Sequence, residues 1–207
     1  MIKLKKILSS TIIILILSTL TISATRAYFS DSETSVNNVI SAGTLDLNLD
    51  GGNTNIVKFN SVAILPDQTV KGTWTVHNSG STDGYLDLHN ITKSSDENGC
   101  IDSEQAAGDR SCGNPGAGGG ELLDLLSAKI FVDTNHNNVY DDGETVIYDG
   151  SFKNLDNDYD VNLPLNAGET KYIAMNISWP HSTNDDQGQG DTLNFGMIFE
   201  LGQTTGQ

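Results

Sequence analysis

From residue 45 onward the chain repeatedly alternates apolar and polar residues with a period of two. LDLNL (45–49) puts Leu45, Leu47 and Leu49 on one side, and TWTVH (73–77) does the same with Trp74 and Val76. The pattern returns in YDVNLPL (159–165), KYIAMNISW (171–179) and TLNFGMIFEL (192–201). Residues two apart share one face of an extended chain, so each segment predicts a half-buried strand. Shorter strands are expected at 56–64, 85–91, 129–133 and 145–149. Turn-forming DGGN (50–53), LPDQ (65–68), NSGSTDG (78–84) and NAGE (166–169) separate them. Helical spacing shows in one short piece, ELLDLLS (121–127), where Leu122, Leu125 and Leu126 fall on one side. Short strands joined by polar turns predict an all-β fold, a jelly-roll-like β-sandwich with a short helix. We expect one domain, 45–207, with a decorated region at roughly 92–128.

The front of the chain has a different character. Lys3, Lys5 and Lys6 precede the apolar run 7–22, and ATRA (24–27) ends in a small residue. This is the layout of a secretory signal peptide over residues 1–27, with cleavage after Ala27 or Ala24. The run of 16 residues is short of the roughly 20 needed to span a bilayer, and a retained anchor is the alternative. The next segment, YFSDSETSVNNVISAGT (28–44), is extended and half apolar, an arm in front of the domain.

Removing residues 1–27 takes away four of the eleven basic residues and no acid, leaving 7 Lys and Arg against 27 Asp and Glu, a formal charge of −20. That excludes nucleic acid as a partner, because phosphate binding needs a positive surface. It suits a secreted surface that attracts cations. Cys100 and Cys112 both lie beyond the signal, and in an oxidising compartment a disulfide between them is expected. It would close a polar loop and contribute about 3 kcal/mol by restricting the unfolded chain.

The sharpest local motif is DTNHNNVYDDGE (133–144). Asp133, Asn135, Asn137, Asp141 and Glu144 fall at positions 1, 3, 5, 9 and 12, with the Val139 carbonyl at 7, the oxygen spacing of an EF-hand-like calcium loop. Asn138 stands where glycine is usual and tolerates the left-handed backbone better than most residues. A structural calcium ion is the expected cofactor; a polar hairpin loop without an ion is the alternative. No catalytic constellation is visible. His77, His89, His136 and His181 are scattered without zinc-ligand spacing, and the serines lie in polar turns. NIT (90–92) and NIS (176–178) are glycosylation sequons at Asn90 and Asn176.

The segment from Tyr28, Phe29, Ser30 and Asp31 to Ala42, Gly43, Thr44, Leu45, Asp46 and Leu47 resembles the start of mature TasA/camelysin proteins, the biofilm-fibre family. The likeness continues more loosely through LPDQTVKGTWTVHNSGS (65–81), with Asp67 where that family has glycine, and through NDDQGQGDTLNFGMIFELGQ (184–203). The resemblance implies a secreted jelly-roll subunit of extracellular fibres or pili, whose partners are copies of itself and other matrix or cell-surface components. Some members carry a metallopeptidase label, which the residues here do not support. It also implies that the arm polymerises the chain, adding a strand to the next subunit through Tyr28, Phe29, Val36, Val39 and Ile40. The alternative is that the arm folds back as the first strand of its own sandwich. A secreted metallopeptidase and a monomeric surface adhesin are the competing functions.

Overall fold

The computed structural model describes residues 30–36, 39–42, 46–51, 58–60 and 63–205. The expected signal peptide, Tyr28 and Phe29 lie outside these residues. Among the described residues, eleven strands form two antiparallel sheets. One contains β1 (Ser30–Val36), β2 (Val39–Ala42), β5 (Gly84–Glu97), β6 (Gly116–Ala117), β9 (Tyr159–Leu165) and β11 (Thr192–Gly202). The other contains β3 (Leu47–Leu49), β4 (Thr69–Asn78), β7 (Ser127–Val132), β8 (Val146–Ser151) and β10 (Thr170–Ser178). The order is β2-β1-β11-β5-β6 in the first, with β9 also on β5, and β3-β4-β10-β7-β8 in the second. From β8 to β11 each strand crosses to the opposite sheet, as the chain of a jelly roll does.

Alternation explains why these segments pair as they do. Trp74 and Val76 on β4, and Ile173, Met175 and Ile177 on β10, turn to the interior and are buried. Phe195, Met197 and Phe199 on β11 meet them from the facing sheet. The Trp74 and Phe199 rings, from opposite sheets, lie 5.4 Å apart in a tilted pair. Burying such side chains contributes roughly 1.5–3 kcal/mol each, which is what holds the sheets together.

Several expectations are corrected. Of the strand foreseen over 56–64, residues 58–60 and 63–64 are described, and neither piece is a strand: 58–60 is a bend that drops Phe59 into the core against Phe195. The helix foreseen over 121–127 is a single turn, Leu122–Leu125. β9 alternates in sequence, yet only Leu165 is fully buried, because this edge strand breaks register against β5 between Leu86 and Leu88. The strand foreseen at 85–91 runs on to Glu97, and a helix, Asp102–Ala107, lies in the region taken for loop. Beyond Ile91 the inward positions of β5 are Lys93, Ser95 and Glu97, polar residues that hide the strand from a hydrophobicity reading.

Candidate functional site

The arm comes first in the chain. β1 lies antiparallel on β11, with Ser30 opposite Gly202 and Ser35 opposite Met197. Its other side pairs with β2, in a hairpin that sets Val36 opposite Val39 and Ser35 opposite Ile40. In the single chain, the arm therefore occupies the place beside β11 in its own sheet. β11 is flanked by β5 on one side and by this hairpin on the other. Any chain laid along β11 there would receive a row of backbone hydrogen bonds.

The loop 133–144 joins β7 to β8. Asp133 is buried, its Oδ1 accepting the Asn137 N–H at 3.2 Å and its Oδ2 the Asn138 N–H at 2.9 Å. Asn138 has φ 59°, the left-handed conformation expected at the sixth loop position. Glu144 Oε1 accepts the Thr134 N–H at 2.7 Å and its Oε2 the Asp141 N–H at 3.0 Å. Asp141 Oδ2 accepts the side-chain amides of Asn135 and Asn137, both at 2.7 Å. Those two bonds, Asn135 first, hold Asp141 below the usual carboxylate range. Val139 donates its N–H to Asn137 Oδ1 at 2.7 Å. The foreseen ligands thus share one small loop, where its own donors already engage the carboxylates.

The disulfide joins Cys100 to Cys112 with 4.3 Å between Cα atoms. Around it sits a group that the sequence alone does not single out. Ligand oxygens of Glu97, Asp109 and Glu121 all lie within 4.8 Å of one another, and so do those of Glu97, Glu104 and Asp191. β5 supplies Glu97, the Asp102–Ala107 helix supplies Glu104, and Asp191 immediately precedes β11. Glu97 and Glu104 are buried, at 2% and 0% exposure. Burial, with the charges of Glu121, Glu97 and Glu104, pushes Asp191 up to about 7. Glu104 reaches back to the Ile101 N–H at 2.8 Å, but with isoleucine at the N-cap no capping motif marks this in the sequence.

The remaining expected positions are separate. His89 meets Asp158 at 3.2 Å and Glu200 at 3.7 Å, His181 meets Asp185 at 2.7 Å, and His77 meets Thr170 at 2.9 Å. The His136 ring lies over Tyr172. Asn90 is exposed on β5, whereas Asn176 is half-buried on the central strand β10. Among the described residues no helix is long and apolar enough to cross a membrane.

Comparison with curated proteins and with solved structures gave no match. Comparison with family models matched residues 3–111, just over half of the chain, to the family described as camelysin metallo-endopeptidase. With its all-β sandwich and the YFSD-to-AGTLDL opening, this chain belongs to the TasA/camelysin family.

Proposed function

We propose that the chain is a secreted structural subunit of an extracellular fibre, polymerised by exchange of its N-terminal arm. Membership in a family of extracellular and surface proteins supports the location, and a disulfide suits an oxidising compartment. The observation that carries the reading is the place of β1: a leading segment laid along β11 in a six-pair register. In a fibre, the arm of one copy takes this place on the next. The bonds are the same in number, but the contact runs head to tail and does not close, so it grows a filament. The loop 133–144 is assigned as a structural calcium loop, because its ligand spacing and the left-handed Asn138 match that geometry.

The family description names a metallo-endopeptidase, which favours a hydrolytic zinc site as the competing reading. Against it, both candidate metal-holding groups among the described residues consist of carboxylates alone, the donors of a hard cation.

A cross-strand cysteine pair tests the exchange. Ser32 and Glu200 are partners across β1 and β11. Filaments of the Ser32→Cys, Glu200→Cys variant, assembled under reduction and then oxidised, should give a ladder of covalent multimers on denaturing gels. Oxidation before assembly should lock the arm at home and leave monomers without filaments by electron microscopy. Filaments that oxidise to monomers alone would overturn the mechanism.

A further inference from the structure

The five carboxylates around the disulfide share a pattern. In each, one oxygen is held by a donor of the protein and the other is buried without a hydrogen-bond partner. Glu97 Oε1 accepts the Gly99 N–H at 2.6 Å, and Glu104 Oε2 accepts that of Ile101 at 2.8 Å. Asp109 Oδ1 accepts the Ser111 N–H and hydroxyl, each at 2.8 Å. The one Ser111 hydroxyl proton is shared between Asp109 Oδ1 and Glu121 Oε1, the latter at 2.6 Å, and Asp191 Oδ2 accepts the Glu121 N–H at 2.7 Å. The buried, unpartnered oxygens are Glu97 Oε2, Glu104 Oε1, Asp109 Oδ2, Glu121 Oε2 and Asp191 Oδ1. Among the described residues no lysine, arginine or histidine forms an ion pair with any of the five.

An unpaired buried carboxylate is costly, and five together repel one another as well. A hard cation removes both penalties. We propose that Glu97, Glu104 and Asp191 form a buried calcium site, distinct from the loop 133–144, with Asp109 and Glu121 in an adjoining trio that shares Glu97. Calcium takes six to eight oxygens at about 2.3–2.6 Å, so ligands on opposite sides of it stand about 4.8 Å apart. Each group of three fits within that span, and the two share Glu97. The donors are all oxygen, which disfavours zinc, and a cage built of several protein carboxylates suits calcium better than magnesium, which keeps several waters and takes one or two carboxylates.

The surrounding structure fixes the donors in place. The disulfide closes the segment that carries Glu104 and Asp109. Gly108, at φ 79°, ends the short helix and turns the chain so that the Asp109 N–H bonds the Glu104 carbonyl. A Cβ on Gly120 would stand 2.7 Å from both Asp191 Oδ2 and Ser95 Oγ, so only glycine leaves the carboxylate its position.

The test uses the secreted, disulfide-intact chain stripped with EDTA and titrated with Ca2+ by isothermal calorimetry, with melting followed in parallel. Asp133→Ala, which disables the other loop, should still bind calcium and melt higher with it. Adding Glu97→Gln and Asp191→Asn should weaken that binding at least a hundredfold and abolish the calcium-dependent rise. The same pair of substitutions should raise the melting temperature in EDTA, because two repelling charges are gone. Where the double substitution fails to fold, Asp191→Asn alone should weaken binding at least tenfold. Calcium binding lost in Asp133→Ala, unchanged by the cage substitutions, or absent from the wild-type chain would overturn the proposal.

Discussion

The loop 133–144 and the cage beside the disulfide are both acidic, and they differ in where their hydrogen bonds go. In the loop, both oxygens of Asp133 and of Glu144 are engaged by loop donors. In the cage, every carboxylate keeps one buried oxygen without a partner. A cation entering the loop must displace or reorganise existing bonds, whereas one entering the cage meets oxygens that have no alternative. The difference teaches that ligand spacing along a chain locates a possible site, while unsatisfied burial measures how much an ion is needed. The cage should therefore bind calcium more tightly than the loop, and calorimetry on the wild-type chain should resolve two phases in that order.

The comparison can be broken most forcefully at the disulfide. Replacing Cys100 and Cys112 with serine should cost about 3 kcal/mol, lowering the melting temperature by roughly 6–12 °C for a domain of this size. It should also weaken the tight calcium phase and leave the weak one unchanged. Equal weakening of both phases would mean that the two regions are not independent. Asp133→Ala should cost about 1–3 kcal/mol even in EDTA, because two backbone N–H groups lose their acceptor. A calcium-free melting curve identical to wild type would show that the loop is not held by these bonds.

Acidity separates the regions by sign. Asp141, held low by Asn135 and Asn137, contributes stability above the ordinary carboxylate range that is lost as pH falls through its folded value. Asp191, raised to about 7, acts in the opposite sense: in EDTA its contribution is full below an unfolded value near 3.8 and is lost as pH rises through about 7. Melting in EDTA should therefore fall as pH rises from about 4 to about 7. Asp191→Asn should reduce that fall, with the raised Glu104 supplying part of the remainder, while Asp141→Asn leaves it in place. The smallest effect is expected at Asn138→Gly, within about 1 kcal/mol, since φ 59° suits glycine but the bond from the Thr73 hydroxyl is lost. Asn138→Val should be clearly worse in the same melting assay.

The same contrast decides how much could be read in the sequence. Strands β4, β10 and β11 were legible because their inward residues are apolar and alternate. The loop was legible because all its ligands lie within twelve residues. The far half of β5 was not, since Ser95 and Glu97 point inward for hydrogen bonding and charge rather than for hydrophobic burial. The cage was not, because Glu97 and Asp191 meet only when β11 pairs with β5, which sets Thr192 opposite Asp96. Phe152, fully buried against Phe195, was missed for a related reason: it sits in a 3-10 turn with no periodicity to mark it.

Asp191 stands at the threshold of β11, the same strand whose far flank receives the arm. An ion seated there would brace the strand on which the arm lies. Modules that work outside cells are commonly tuned to calcium at about 0.1–1 mM. A chain tuned in that way would stay slack where calcium is scarce and stiffen where it is plentiful, and an exchange of arms as proposed above would be held back until then.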